Sequence, residues 1–278
     1  MTHEEWLAER RLGIGGSDAA AIRGLSDYSS PYCVWADKTG RMPPKEDTEA
    51  MLLGRILEPH TAERFVKQTG LSVRRVNHSL VHLKYPFMRA NIDRRIVGQR
   101  AGLECKSCSP YRLKEFEDGQ YPQEYYVQCL HYLAVTGWDA WYLAVWISGV
   151  DFRIFRVERA RAQADIDSLI RTEQGFWERY VLPDKPPPAD GATATTKAIG
   201  EVYKTAVDKS IDLSAMEGTF VAVAGLNAKK LDLEREIERH KQSIKLAMGE
   251  NTRAECSAWV ANWKPRKDGV RVFSIKEK

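Results

Sequence analysis

The sequence predicts an α/β protein: a mixed central sheet flanked by helices, then a C-terminal helical arm and a small hairpin. Three observations carry this expectation. Short extended segments alternate with stretches of helical periodicity through residues 48–180. One of them, Ala140–Ile147, is nearly continuous in apolar residues, as in a strand buried on both faces. Finally, Pro183-Asp184-Lys185-Pro186-Pro187-Pro188, followed by a Gly/Ala/Thr run, has the composition of a boundary. It divides the chain into a domain over residues 1–185 and an extension over 186–278.

The composition narrows the class. A chain of 278 residues, 43% hydrophobic and 29% charged, has the balance of a soluble globular protein with a substantial core. Forty-two basic against 38 acidic residues give a net charge of +4, which permits a nucleic-acid partner without requiring one. No apolar run approaches a membrane span, so no membrane association is expected, and Met1–Arg10 is too polar for a signal peptide. Five cysteines, an odd number in a long chain, argue against a disulfide framework and for a reduced, intracellular protein.

In order, a short helix is expected through Leu12. Ile14-Gly15-Gly16-Ser17-Asp18 then reads as a loop feeding a helix over Ala19–Ile22, with Ser17 or Asp18 as its cap. Such a terminus offers free N–H groups to a phosphate, and Arg11 and Ser17 could add to it; the same pattern also describes a plain capped helix. Ser30-Pro31 opens a helix that ends near Gly40. Residues 48–69 form an amphipathic helix closed by Gly70, with a kink or break expected at Pro59, next to Glu58. Extended pieces follow at 71–77, 80–83 and 88–93, in a region crowded with arginines. A short helix over 112–117 precedes a longer one over 122–136, which carries Gln128 and His131 close together on its surface. Phe152–Val157 is a further strand and Arg159–Tyr180 a closing helix. In the extension, Leu226, Leu233, His240 and Ala247 share one heptad position, with Lys230, Ile237 and Ile244 at its partner. That seam fits a helical hairpin arm or a coiled coil. Met248-Gly249 ends it, and Trp259–Trp263 and Val270–Ile275 alternate like a hairpin.

The chemistry concentrates in Asn91-Ile92-Asp93 and Gly102-Leu103-Glu104-Cys105-Lys106. These read as two strands joined by Arg94–Ala101, the first ending on a carboxylate. The second places Glu104 and Lys106 on one face, because strand side chains alternate. Asp and Glu are hard oxygen ligands suited to Mg²⁺, and a neighbouring Lys can hold or deprotonate a water and offset charge on a phosphate. Taken alone, the pattern also fits an ordinary charged surface hairpin. Cys105 and Cys108 form a CxxC with no second pair at zinc spacing, and no Walker-type loop is present.

Read together, Arg11-Leu12-Gly13-Ile14-Gly15-Gly16-Ser17, Leu53-Gly54 through Glu58, Ala90–Asp93, Leu103–Lys106 and Tyr126–Leu130 resemble, in order, the PD-(D/E)xK nuclease superfamily. Within it, the chain is similar to the YqaJ-type viral recombinases, the family of the phage lambda exonuclease, over about Arg10 to Tyr180. Ile92 stands where the superfamily name has Pro. The resemblance implies a restriction-endonuclease-like core. It implies that Asp93, Glu104 and the backbone carbonyl of Cys105 hold one or two Mg²⁺, with Mn²⁺ able to substitute, and that Glu58 contributes to a second site. Lys106 would position or deprotonate the attacking water, and Gln128 would brace the site. Arg11 and Ser17 match positions that grip a 5′-phosphate. The implied activity is 5′→3′ digestion of double-stranded DNA ends to leave 3′ overhangs for recombination. The implied partners are a single-strand annealing protein and further copies of the chain, as in a ring trimer, and the implied setting is the cytoplasm of a bacterial host, with a phage or prophage origin. Two other readings stay open: a structure- or sequence-specific endonuclease, and a DNA-end-binding module without catalysis.

Overall fold

The computed structural model describes residues 8–43 and 47–278. Most of the helix expected through Leu12 lies outside the described residues; residues 8–11 are helical. The chain forms two compact units, Met1–Ala206 and Val207–Lys278.

The first unit is built on a five-stranded mixed sheet. Its strands are β1 (Val73–Arg75), β4 (Arg94–Ile96), β5 (Ala101–Cys108), β6 (Ala140–Ile147) and β7 (Asp151–Glu158), adjacent in that order. Only β5 and β6 run parallel; the other pairs are antiparallel. A two-stranded ribbon, β2 (Leu80–Val81) with β3 (Arg89–Ala90), stands apart from this sheet. The helices are α1 (Gly16–Ile22), α2 (Pro31–Lys38), α3 (Glu49–Thr69), α4 (Gln123–Thr136), α5 (Arg159–Phe176) and α6 (Thr193–Val202).

Strand β6 is buried on both faces, as its apolar run predicts. Trp141, Leu143, Val145 and Ile147 pack with Leu130 and Leu133 of α4 and with Ile166 and Leu169 of α5. Ala140 and Ala144 turn the other way, onto Ala62 and Phe65 of α3. Parallel pairing of β5 with β6 requires a crossover, which α4 supplies. The same alternation in β5 sends Leu103 and Cys105 toward α3. Residues of opposite parity, among them Glu104 and Lys106, therefore face α4. Cys105 and Cys108, three apart on a strand, lie in clusters on opposite faces and cannot jointly hold an ion.

Several expectations need correction. Residues 88–93 do not form a strand that ends in Asp93. The ribbon strand stops at Ala90, and Asp93 lies in a bend directly before β4. The hairpin to β5 therefore turns at residues 97–100, and the Arg-rich start of the expected loop is a strand in which Arg94 is buried. Pro59 does not break α3, which runs without interruption from Glu49 to Thr69 and closes on Gly70 in the left-handed conformation, φ 71°. Residues 110–116 are a 3₁₀ helix, and the closing helix passes into a π turn at Trp177–Val181.

The first unit also runs to Ala206, past the proline-rich boundary expected at residue 185. The reason is local. Asp184 is held by both terminal nitrogens of Arg41 at 2.7 and 2.8 Å. Beyond it, α6 buries Ala198 against the cluster that contains Tyr32 and Trp35, and Thr195 Oγ1 donates to Ser30 Oγ at 2.7 Å. Prolines here shape a connection within one unit.

The second unit consists of α7 (Glu217–Met248), β8 (Arg253–Glu255), β9 (Trp259–Pro265) and β10 (Arg271–Glu277). The arm is thus one helix of 32 residues, and the expected hairpin, β9 with β10, gains β8 as a third strand. Among the described residues no helix is long and apolar enough to cross a membrane.

Candidate active site

Asp93, Glu104, Lys106 and Gln128 come together where the end of the β2–β3 ribbon segment, β5 and α4 meet. Strand alternation puts Glu104 and Lys106 side by side, and Lys106 Nζ lies 2.7 Å from Glu104 Oε1. Gln128 of α4 reaches across to the same oxygen, its Nε2 donating at 2.8 Å, and also donates to the Tyr132 hydroxyl at 2.7 Å. Asp93 is anchored from β5, because the Cys105 N–H donates to its Oδ2 at 2.8 Å. Glu58, expected to join the same cluster, is held by arginines instead. Its Oε1 accepts from Arg94 Nη1 at 2.6 Å and from Arg75 Nη2 at 3.4 Å. Arg94 Nη1 donates also to the Asp93 carbonyl at 2.7 Å, so one buried guanidinium ties Glu58 to the Asp93 segment.

The electrostatics point to a cation. Burial, then the charges of Glu104 and Glu58, raise the Asp93 carboxyl well above its ordinary range, against the Cys105 hydrogen bond. Burial, then Asp93 and Glu104, likewise push the Cys105 thiol up. Burial alone would lower the Lys106 ammonium, but Glu104 and Asp93 outweigh it and hold Lys106 charged. One oxygen remains unanswered: Glu104 Oε2 is buried and has no hydrogen-bond partner. A buried carboxylate oxygen without a partner is costly. With the Asp93 carboxylate, which Glu104 repels, it leaves hard carboxylate oxygens that could hold a cation. Among the described residues no three His, Cys, Asp or Glu side chains converge as a ready-made cage. A cation there would rest on the Asp93 and Glu104 carboxylates, with Glu58 held by Arg94.

The Gly15-Gly16 loop adjoins this centre. Ile14 bridges to Met88, its N–H donating to the Phe87 carbonyl at 2.6 Å and its carbonyl accepting from Arg89 N–H at 2.9 Å. Gly16 lies so close to α4 that a Cβ there would stand 2.7 Å from the Tyr132 ring. Neither Ser17 nor Asp18 is the cap: the helix starts at Gly16 with Gly15 as N-cap, and Asp18 Oδ2 accepts back from Gly15 N–H at 2.9 Å. A cavity of about 130 Å³ opens here, lined in part by Arg10, Ser17, Arg89, Asn91 and Tyr132. Ser17 stands where expected. Arg11 does not line this cavity; its Nη2 donates to the Met42 carbonyl at 3.4 Å.

Sequence reasoning passed over Arg94 and Tyr132, which hold the site residues in place, and Lys38, whose fully buried ammonium lies 2.6 Å from Asp18 Oδ2. His131, expected on the helix surface beside Gln128, is placed differently. The ring is in fact completely buried, with Nδ1 2.8 Å from Glu173 Oε1 and Nε2 2.9 Å from the Arg89 carbonyl.

The family model for the YqaJ-like viral recombinase domain matches residues 5–139. The chain is 38% identical over 270 residues to Uncharacterized protein YqaJ of Bacillus subtilis (strain 168), covering 95% of this chain and 84% of that one. Among solved structures, the alkaline exonuclease LHK-Exo of Laribacter hongkongensis has a similar fold, with a TM-score of 0.51 at 20% identity, over 64% of this chain and 94% of that one. Its complex with dAMP gives a TM-score of 0.54 at the same identity and coverage. The five-stranded mixed sheet with its helices is thus a fold found in an exonuclease. On the family match and the near full-length identity, the chain belongs to the YqaJ-like viral recombinase family.

Proposed function

We propose that the protein is a Mg²⁺-dependent 5′→3′ exonuclease on double-stranded DNA, with a PD-(D/E)xK centre formed by Asp93, Glu104 and Lys106. The observation that carries this reading is the buried, unpartnered Glu104 Oε2 beside Asp93 and Lys106. Asp93, Glu104 and the Cys105 carbonyl would hold Mg²⁺ or Mn²⁺, with Glu58 in support. Bound there, the ion would supply Lewis-acid polarisation of the scissile phosphate. Lys106, held as an ammonium by its carboxylate neighbours, orients the attacking water and offsets charge developing on the phosphate. Gln128 keeps Glu104 in place through Oε1, which leaves Oε2 free for other duty. Tyr132 connects this centre to the neighbouring cavity, since it accepts from Gln128 and also lines the wall beside Ser17.

A 5′-phosphate would enter that cavity. Ser17 offers a hydroxyl there, and Arg10 and Arg89 border it. Arg11 would have to leave Met42 to join them. The family match and the fold shared with an alkaline exonuclease support a nuclease that feeds recombination. Its proposed partner is a single-strand annealing protein, and its proposed setting is the cytoplasm of a bacterial host. The test is digestion of linear duplexes ending in 5′-phosphate or 5′-hydroxyl, each strand labelled separately, beside a covalently closed circle. Shortening of each strand from its 5′ terminus while the 3′ termini persist, faster with 5′-phosphate, and an intact circle are expected. Nicking of the circle would show an endonuclease, and binding without cleavage in Mg²⁺ or Mn²⁺ a non-catalytic end-binding module.

A further inference from the structure

The long helix of the second unit is exposed on every side over most of its length. Every residue from Glu217 to His240 is exposed, although helices in water generally depend on packing an apolar face. Its seam residues are bare: Val223 is 55%, Leu226 64%, Leu233 59% and Ile237 52% exposed. Written as heptads, the a positions are Val223, Lys230, Ile237 and Ile244, and the d positions Leu226, Leu233, His240 and Ala247. β-Branched residues at a with leucine at d favour two strands, and one Lys at an a position is a device that sets register and strand number.

The flanking charges choose the direction. In a parallel, in-register pair each g residue meets the e residue five positions on in the second helix. Here Lys229 at g meets Glu234 at e, and Glu236 at g meets Lys241 at e, so both charged contacts pair opposite signs. An antiparallel pair that keeps the same seam can match Lys229 with Glu236 but leaves Glu234 facing Asn227. We propose that α7 is one strand of a parallel two-stranded coiled coil whose other strand is α7 of a second copy of this chain. The pairing joins two copies through their C-terminal units and does not depend on the nuclease reading.

The test uses the full chain with exposed Cys256 replaced by Ser. Leu226→Cys places a thiol at a d position, where a parallel in-register pair brings the two copies within disulfide reach; Ala228→Cys places one on the outer face. Mild oxidation should link Leu226→Cys into a dimer joined at residue 226 while Ala228→Cys stays largely unlinked. Light scattering of the unmodified chain should give the mass of an even number of copies, and Leu233→Asp with Ile237→Asp should halve it. Both replaced side chains are exposed and lie in the second unit, so the thermal midpoint of the first unit should hold. Equal linking of the two cysteine variants, a mass of an odd number of copies, or an unchanged mass in the double variant would overturn the proposal.

Discussion

Asp93 carries a burial cost that its neighbours increase. Its carboxyl is desolvated first and then repelled by Glu104 and Glu58, so in the metal-free protein it holds its proton well above the usual range. Neutralising it should therefore stabilise the fold. Asp93→Asn in chelator is expected to raise the melting temperature while losing all DNA digestion. A lower melting temperature than wild type would mean that the carboxylate contributes to packing and is no burden. His131 gives a second test. Its ring lies between a carboxylate and a carbonyl; burial alone would discharge it, but Glu173 and the Arg89 carbonyl raise its pKa above 6.5. Glu173 is raised as well, by burial first. Both shifts make the native state hold more protons than the unfolded one. The His131 contribution is complete below about pH 6.5 and is lost as pH rises through the raised value. Melting temperature should fall as pH rises above about 6.5, and His131→Gln should lower it throughout and flatten that slope. An identical slope in the variant would place the titration elsewhere.

At the level of elements, the legible part of the fold was what alternation and apolar runs encode. The β6 run, the Glu-x-Lys face of β5, the Gly70 stop and the amphipathic α4 all stand where their residues imply. Arg94-Arg95-Ile96 did not look like a strand, because two arginines read as solvated loop. Arg94 is buried only because Glu58, from a helix 36 residues earlier, meets it. No local pattern carries that pairing. The same holds for Arg11, whose neighbours in sequence suggested a phosphate pocket while the fold turns it to Met42. Glycine positions were legible as loops, not as contacts. Gly102 lies under Trp141, where a Cβ would come within 2.3 Å of the ring, and its neighbours in β5 hold the site. Gly102→Ala should cost about 1–3 kcal/mol by overpacking and lower the melting temperature by several degrees. An unchanged midpoint would show that the Trp141 ring moves freely aside.

Over the whole molecule, the compact units divide after Ala206, beyond the boundary that composition marks at residue 185. The proline-rich segment is pinned by the Arg41–Asp184 pair, and α6 returns to cover Tyr32 and Trp35. A chain ending at Ala206 should fold and melt cooperatively, whereas one ending at Pro188 should melt lower or aggregate, because it exposes that cluster. Equal midpoints for the two truncations would show that α6 adds nothing to the first unit. All site residues lie within this unit, so the chain ending at Ala206 should also retain cleavage of linear duplex.

The claim on which the rest depends is that Asp93, Glu104 and Lys106 form a cation-dependent phosphodiesterase centre. The most direct measurement is single-turnover digestion of an end-labelled linear duplex during a Mg²⁺ titration, comparing wild type with Glu104→Gln while duplex binding is followed separately. Wild type should cleave with saturable dependence on Mg²⁺ and stop in chelator, and Glu104→Gln should bind the duplex but lose cleavage by at least about a hundredfold. Cleavage by Glu104→Gln at the wild-type rate, or wild-type cleavage that persists in chelator, would contradict the account.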